Sequence, residues 1–273
     1  MSPINDLQNL YTNMDAALKR CNDKLAEKRV DPASTLYEVG DKISTLKADY
    51  GDFIDGTITE AKIKEPEYIY TVRPYAFYDC KNLVTATGIW SARSIGDYAF
   101  CNCESLTTID TFGESFVETI GNYAFYGCSG LDTIWFGNDV RNIGSHSFAS
   151  CSNLRKIAIS TFDGYVSIGD YAFKDCVNLT KIRFGRLDYN TSFGTEVFKN
   201  CNNINTLIFD GFDGDGIFDF DIMNELQNTP IAQGTGYIYV RSSMIASYQS
   251  NVNWSQYASQ FRAIEDYPNI WVD

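Results

Sequence analysis

Six cysteines, at positions 80, 103, 128, 151, 176 and 201, recur at intervals of 23, 25, 23, 25 and 25 residues, each inside the same local pattern. A phenylalanine lies three residues before each one: Phe77, Phe100, Phe125, Phe148, Phe173 and Phe198. An aliphatic residue lies three after: Leu83, Leu106, Leu131, Leu154, Leu179 and Ile204. Three further on come Ala86, Ile109, Ile134, Ile157, Ile182 and Leu207. Ahead of most of the phenylalanines the chain reads IGDYAF, IGNYAF or IGSHSF. The unit is I-G-x-Y-A-F-x-x-C-x-x-L-x-x-I-x-(I/F). One such unit cannot bury its own Phe, Cys and Leu, whereas stacked units can, and each buried Phe or Leu contributes about 1.5–3 kcal/mol. A period of this length carrying an L-x-x-L-x-L core signifies a solenoid.

Within the unit, the last two apolar residues are two apart and point to one face of a strand, leaving the residues between them and before them to face solvent. The I-G pair is expected to turn the chain, its glycine permitting either close backbone approach or a positive φ. The Y-A-F-x-x-C segment is expected to be a helical turn or a short 3-10 piece. The cysteine column is expected to be a row of small buried hydrophobes. Neighbouring rungs lie about 4.8 Å apart, so disulfides between them are sterically conceivable. Cys101 falls outside the column and is expected to be the exposed, reactive thiol.

This unit resembles the BspA-type leucine-rich repeat, over residues 54–210. Its departures are Val72-Arg73-Pro74 for I-G-x in the first unit, His146-Ser147 for Tyr-Ala in the fourth and Phe193-Gly194 for I-G in the last. The resemblance implies an α+β fold: a leucine-rich-repeat solenoid of about seven stacked strands, with an N-terminal helical arm (1–50), the solenoid (51–212) and a C-terminal cap (213–273). Residues 56–63, GTITEAKI, supply a leading half-repeat. The stretch from GYIYV onward breaks the period and reads as strand, helix, turn, helix and strand, with Trp254, Tyr257 and Phe261 covering the last coil.

In the arm, Ile4, Leu7, Tyr11, Met14, Leu18, Cys21 and Leu25 step by three and four alternately, an a/d heptad seam. This seam either packs within the chain or joins copies of it. The second reading gives a homo-oligomer anchored to a larger assembly; the arm is similar to short helical arms that precede such repeats in phage structural proteins, and a trimer is the stoichiometry expected of a virion attachment protein, though the seam composition does not decide it.

Little in the sequence carries chemistry. The single histidine, His146, occupies the slot that is tyrosine in other repeats, so no Ser-His-Asp or Cys-His arrangement can be assembled around a second one. No phosphate loop, zinc-ligand spacing or glycosidase-like pair of acids in a cleft is present. Asp213, Asp215 and Asp219 in the acidic loop 210–221 lack the remaining ligands of a calcium loop, and the loop reads as a connection. The chain is therefore expected to be no enzyme and to need no cofactor or metal. A net charge of −13 without a long basic stripe argues against nucleic acid and anionic membranes. No stretch is apolar enough to span a membrane, and MSPINDLQNL does not read as a secretory leader.

The outward strand positions are Thr85 and Thr87, Thr108 and Asp110, Thr133 and Trp135, Lys156 and Ala158, Lys181 and Arg183, and Thr206 and Ile208. Trp135 with Lys156, Lys181 and Arg183 makes a basic-aromatic patch suited to an acidic glycan or protein face. The resulting expectation is a non-enzymatic binding and assembly protein. Its location is a bacteriophage virion, with the arm on the particle and the solenoid toward host-surface glycan or protein, or alternatively a bacterial cell surface as an adhesin.

Overall fold

The computed structural model describes residues 59–62, 70–89, 92–109, 116–161, 164–185, 191–210 and 226–271. The heptad seam from Ile4 to Leu25 and the acidic residues Asp213, Asp215 and Asp219 lie outside them. Fifteen short strands are described, numbered in chain order, and every pairing between them is parallel.

The L-x-x-I-x-I segments form the front of the solenoid. β1 (Glu60–Lys62), β3 (Thr85–Thr87) and β5 (Thr108–Ile109) make one three-stranded sheet. β7 (Thr133–Trp135), β9 (Lys156–Ile159), β11 (Lys181–Phe184), β13 (Thr206–Phe209), β14 (Tyr237–Val240) and β15 (Phe261–Ala263) make another, of six. The leading half-repeat is thus a paired strand, and β1 to β13 on this side are the seven expected. β14 and β15 come from the stretch where the period breaks, yet they continue the same parallel sheet. Between them lie a 3-10 turn (Ser242–Met244), α1 (Ile245–Ser250) and a second 3-10 segment (Ser255–Gln260). Trp254 is buried edge-on against Phe209 at 5.5 Å and Tyr248 at 5.8 Å, and packs beside Phe261.

The I-G pair does not turn the chain. Its isoleucine ends a strand of a second parallel sheet: β2 (Tyr70–Val72), β4 (Ala92–Ile95), β6 (Thr119–Ile120), β8 (Asn142–Ile143), β10 (Ser167–Ile168) and β12 (Ser192–Phe193). The following glycine serves close approach. A Cβ on Gly144 would stand 2.6 Å from the backbone of Asn122 and Gly121 in the preceding coil. Gly121 and Gly169 are as tightly placed.

The Y-A-F-x-x-C segment is not helical. Two residues in each coil take a left-handed backbone: the tyrosine slot (Tyr75, Tyr98, Tyr123, His146, Tyr171, then Glu196) and the residue before the cysteine (Asp79, Asn102, Gly127, Ser150, Asp175, Asn200). A right-handed run would return every N–H to its own helix. Here alternate N–H groups are redirected to the next coil, as in Tyr98 to the Asn122 carbonyl, Phe100 to Ala124 and Asn102 to Tyr126, at 2.7–2.9 Å. The third side of each coil is therefore a ladder of hydrogen-bonded turns.

Left-handed φ costs a side chain with a Cβ about 1–2 kcal/mol. At the tyrosine slot, stacking offsets it. Tyr75, Tyr98, Tyr123, His146 and Tyr171 form one column with centroids 4.6–4.9 Å apart. His146 is thus one rung of a ring stack, and its burial holds the imidazole below its ordinary pKa. Ser150, at φ 63, has no such offset. Ser150→Gly, copying Gly127 one coil earlier, is expected to stabilise the protein by about 0.5–1 kcal/mol, the strain relieved less glycine's entropic cost. A lower urea midpoint would contradict the left-handed assignment.

The interior holds three columns. Phe77, Phe100, Phe125, Phe148, Phe173 and Phe198 stack at 4.8–5.5 Å. The leucine position is fully buried in every unit. The six column cysteines are free and buried, and they do more than fill space. The thiols of Cys103, Cys128, Cys151, Cys176 and Cys201 donate at 3.0–3.2 Å to the carbonyls of Phe77, Phe100, Phe125, Phe148 and Phe173, each one coil back. Each carbonyl also accepts the N–H of the cysteine in its own coil. Cysteine is small enough for the slot and still supplies a weak donor to the second lone pair.

Candidate functional site

The repeat fixes which side chains leave the front sheet. Trp135 pairs in register with Ala158, Ala158 with Arg183, and Arg183 with Ile208. In the adjacent row, Thr133, Lys156, Lys181, Thr206 and Tyr237 follow one another. All four residues of the expected patch therefore lie on one face, and Trp135 is 40% exposed.

The cations on this face have internal acceptors. Lys156 Nζ donates to the Trp271 carbonyl at 3.2 Å, and Lys181 Nζ to the Ile270 carbonyl at 3.0 Å. Tyr267 meets Tyr239 of β14 edge to face at 5.1 Å. Residues 267–271 therefore cross the face from β14 to β9, passing over β13. This corrects the expectation of a uniformly solvent-facing sheet: Ala158, Thr206 and Ile208, expected outward and exposed, are buried, Ala158 to 2% and Ile208 to 1%. Arg183 forms an ion pair with Asp210, whose backbone carbonyl also accepts from Arg241 at 3.4 Å.

Beside this covered zone the surface opens into a pocket of about 260 Å³, lined by Trp135, Asn138, Ala158, Ile159, Ser160, Arg183, Gly185 and Asp210. It unites Trp135 and Arg183 of the expected patch, while Lys156 and Lys181 lie outside its lining. Sequence reading missed Asn138, Ser160 and Asp210. A signal was present, because Ser160 and Asp210 follow Ala158 and Ile208 by two residues and so continue the outward alternation one step past each strand.

The seven described thiols are all buried. Cys101, expected to be exposed, is 4% accessible, and burial, reinforced by Cys103 and Asp79, pushes its pKa up to about 12. Burial pushes Cys80 to about 12 as well. Among the described residues no group of three or more His, Cys, Asp or Glu side chains is placed to hold a metal ion, and no helix is long and apolar enough to cross a membrane.

The family model for the BspA type leucine rich repeat region matches in six copies, over residues 53–166 and 158–266. No curated protein matches. Among solved structures, the T. pallidum leucine rich repeat protein is similar at 26% identity over 54% of this chain and 79% of its own, with a TM-score of 0.40. A leucine rich cell surface protein from Faecalibacterium prausnitzii is similar at 23% identity over 56% of this chain and 48% of its own, with a TM-score of 0.39.

Proposed function

From the premise that the chain belongs to the BspA type leucine-rich repeat family, we propose that it is a non-enzymatic recognition protein whose front face binds a glycan or protein on a cell surface. The observation that carries this reading is the pocket at Trp135 and Arg183, where a half-exposed indole and an ion pair sit together on a rigid parallel sheet. Aromatic and arginine side chains beside a depression are the composition of binding hot spots. A sheet pinned on both sides by coil-to-coil hydrogen bonds holds them with little ordering cost.

The proposal includes residues 1–50 as an oligomerisation and anchoring arm, giving a trimer, and residues 213–273 as a cap on the last coil. Burial of Trp254 against Phe209 supports the cap. The setting proposed is a phage virion, with the bacterial cell surface as the alternative. Labelling intact particles and cells with an antibody to the chain separates the two.

Capture of the full chain on intact bacterial cells tests the binding face. Lys181→Glu with Arg183→Glu, and separately Trp135→Ala, are expected to weaken capture at least about tenfold, the loss of one hot-spot contact, with circular dichroism unchanged. Unaltered capture by both variants would refute the face.

A further inference from the structure

We infer that the pocket between Trp135 and Arg183 is a subsite for one neutral pyranose ring; this rests on the binding face proposed above and names its ligand class. The register sets the order of the side chains along the pocket. Trp135 and Arg183 are two strands apart, about 9.6 Å at the usual strand spacing. Ala158, the small side chain of that row, stands between them and is itself buried, flanked by the bulky Trp135, Arg183, Ile208 and Tyr239. The volume of about 260 Å³ lies just below the range of pockets for drug-sized ligands, which suits a small one.

The lining specifies hydroxyls. Asp210 offers acceptors, Arg183 donors, and Asn138 and Ser160 both, grouped around an aromatic wall. A ligand matching that set carries several groups that both donate and accept, on a body whose C–H face suits an indole. Charge selects against acidic sugars. Arg183 is already neutralised by Asp210, so a carboxylate entering the pocket meets a carboxylate, within a chain of net charge −13. The nearby lysines do not reverse this, since their ammonium groups are directed to the Ile270 and Trp271 carbonyls.

Saturation-transfer NMR and calorimetry on the full chain, with glucose, galactose, mannose and N-acetylglucosamine against glucuronic and N-acetylneuraminic acids, test the assignment. At least one neutral sugar is expected to bind, with a dissociation constant on the order of millimolar for so few atoms. Trp135→Ala and Asn138→Ala, which remove the aromatic wall and a polar lining group, are each expected to weaken that binding, the first at least about tenfold. Binding of no neutral sugar overturns the inference, and so does binding that both variants leave intact or a preference for the acids. If no neutral sugar binds while the face variants still lose capture on cells, the saccharide is wrong and the binding face stands. If the variants lose neither, the face itself is wrong.

Discussion

Truncating Phe148 to alanine is expected to destabilise the protein by about 3–5 kcal/mol, the range for removing a fully buried aromatic ring. Phe148 lies at the middle of the phenylalanine column, 5.1 Å from Phe125 and 5.4 Å from Phe173, with Phe136 edge-on at 5.4 Å. Collapse into the vacated space would need one coil to approach the next. The strand pairs on two sides and the turn ladder on the third fix that spacing, so the cavity persists. In a solenoid each coil is stabilised by its neighbours, so loss at this rung also weakens the link between the two halves. The fall in urea midpoint measures the effect, and amide exchange is expected to accelerate first in the coils on either side. A loss below about 1 kcal/mol would mean that Phe148 is not enclosed.

Gly144→Ala is expected to cost about 3 kcal/mol, at the upper end of ordinary overpacking because the obstruction is backbone rather than a movable side chain. The new Cβ would meet Asn122 N and Gly121 C at 2.6 Å. Relief requires the coils to part where Gly144 N–H donates to the Ile120 carbonyl at 2.8 Å. The sign is diagnostic, since an alanine in an unobstructed extended segment stabilises by about 0.5–1 kcal/mol relative to glycine. A raised thermal midpoint would show that the second sheet does not stack as described.

These two residues also mark what the sequence makes legible. The Phe, Cys and Leu columns recur at a near-constant interval and are apolar, so both their period and their burial can be read directly. The second sheet escapes such reading because β6, β8, β10 and β12 are two residues long, too short for alternation to register. The left-handed tyrosines escape it because tyrosine has no intrinsic preference for that backbone; only the column of rings makes Tyr98 or Tyr123 tolerable there, and a column exists only after folding. The same holds for the thiol donors, whose acceptors lie 26 or 28 residues away in sequence.

The candidate face was legible in part. Strand alternation puts Trp135, Lys156, Lys181 and Arg183 on one side. Nothing periodic announces that the carbonyls of Ile270 and Trp271 come to rest on the two lysines, because residues 267–271 belong to no repeat. Asp210 was invisible as the partner of Arg183 for a related reason. It stands just beyond β13, where the sequence reads as the start of an acidic connection, while the fold makes it the next outward position of the sheet.

Native thiol accessibility tests the enclosed columns most directly. The chain has eight cysteines, of which the seven from Cys80 to Cys201 are free and buried. In a full-length Cys21→Ser variant, a small aqueous disulfide reagent is expected to modify none of the seven in the folded protein during the time in which it modifies all seven in urea. Rapid modification of several thiols while the circular dichroism stays native would contradict the stacked, dry interior.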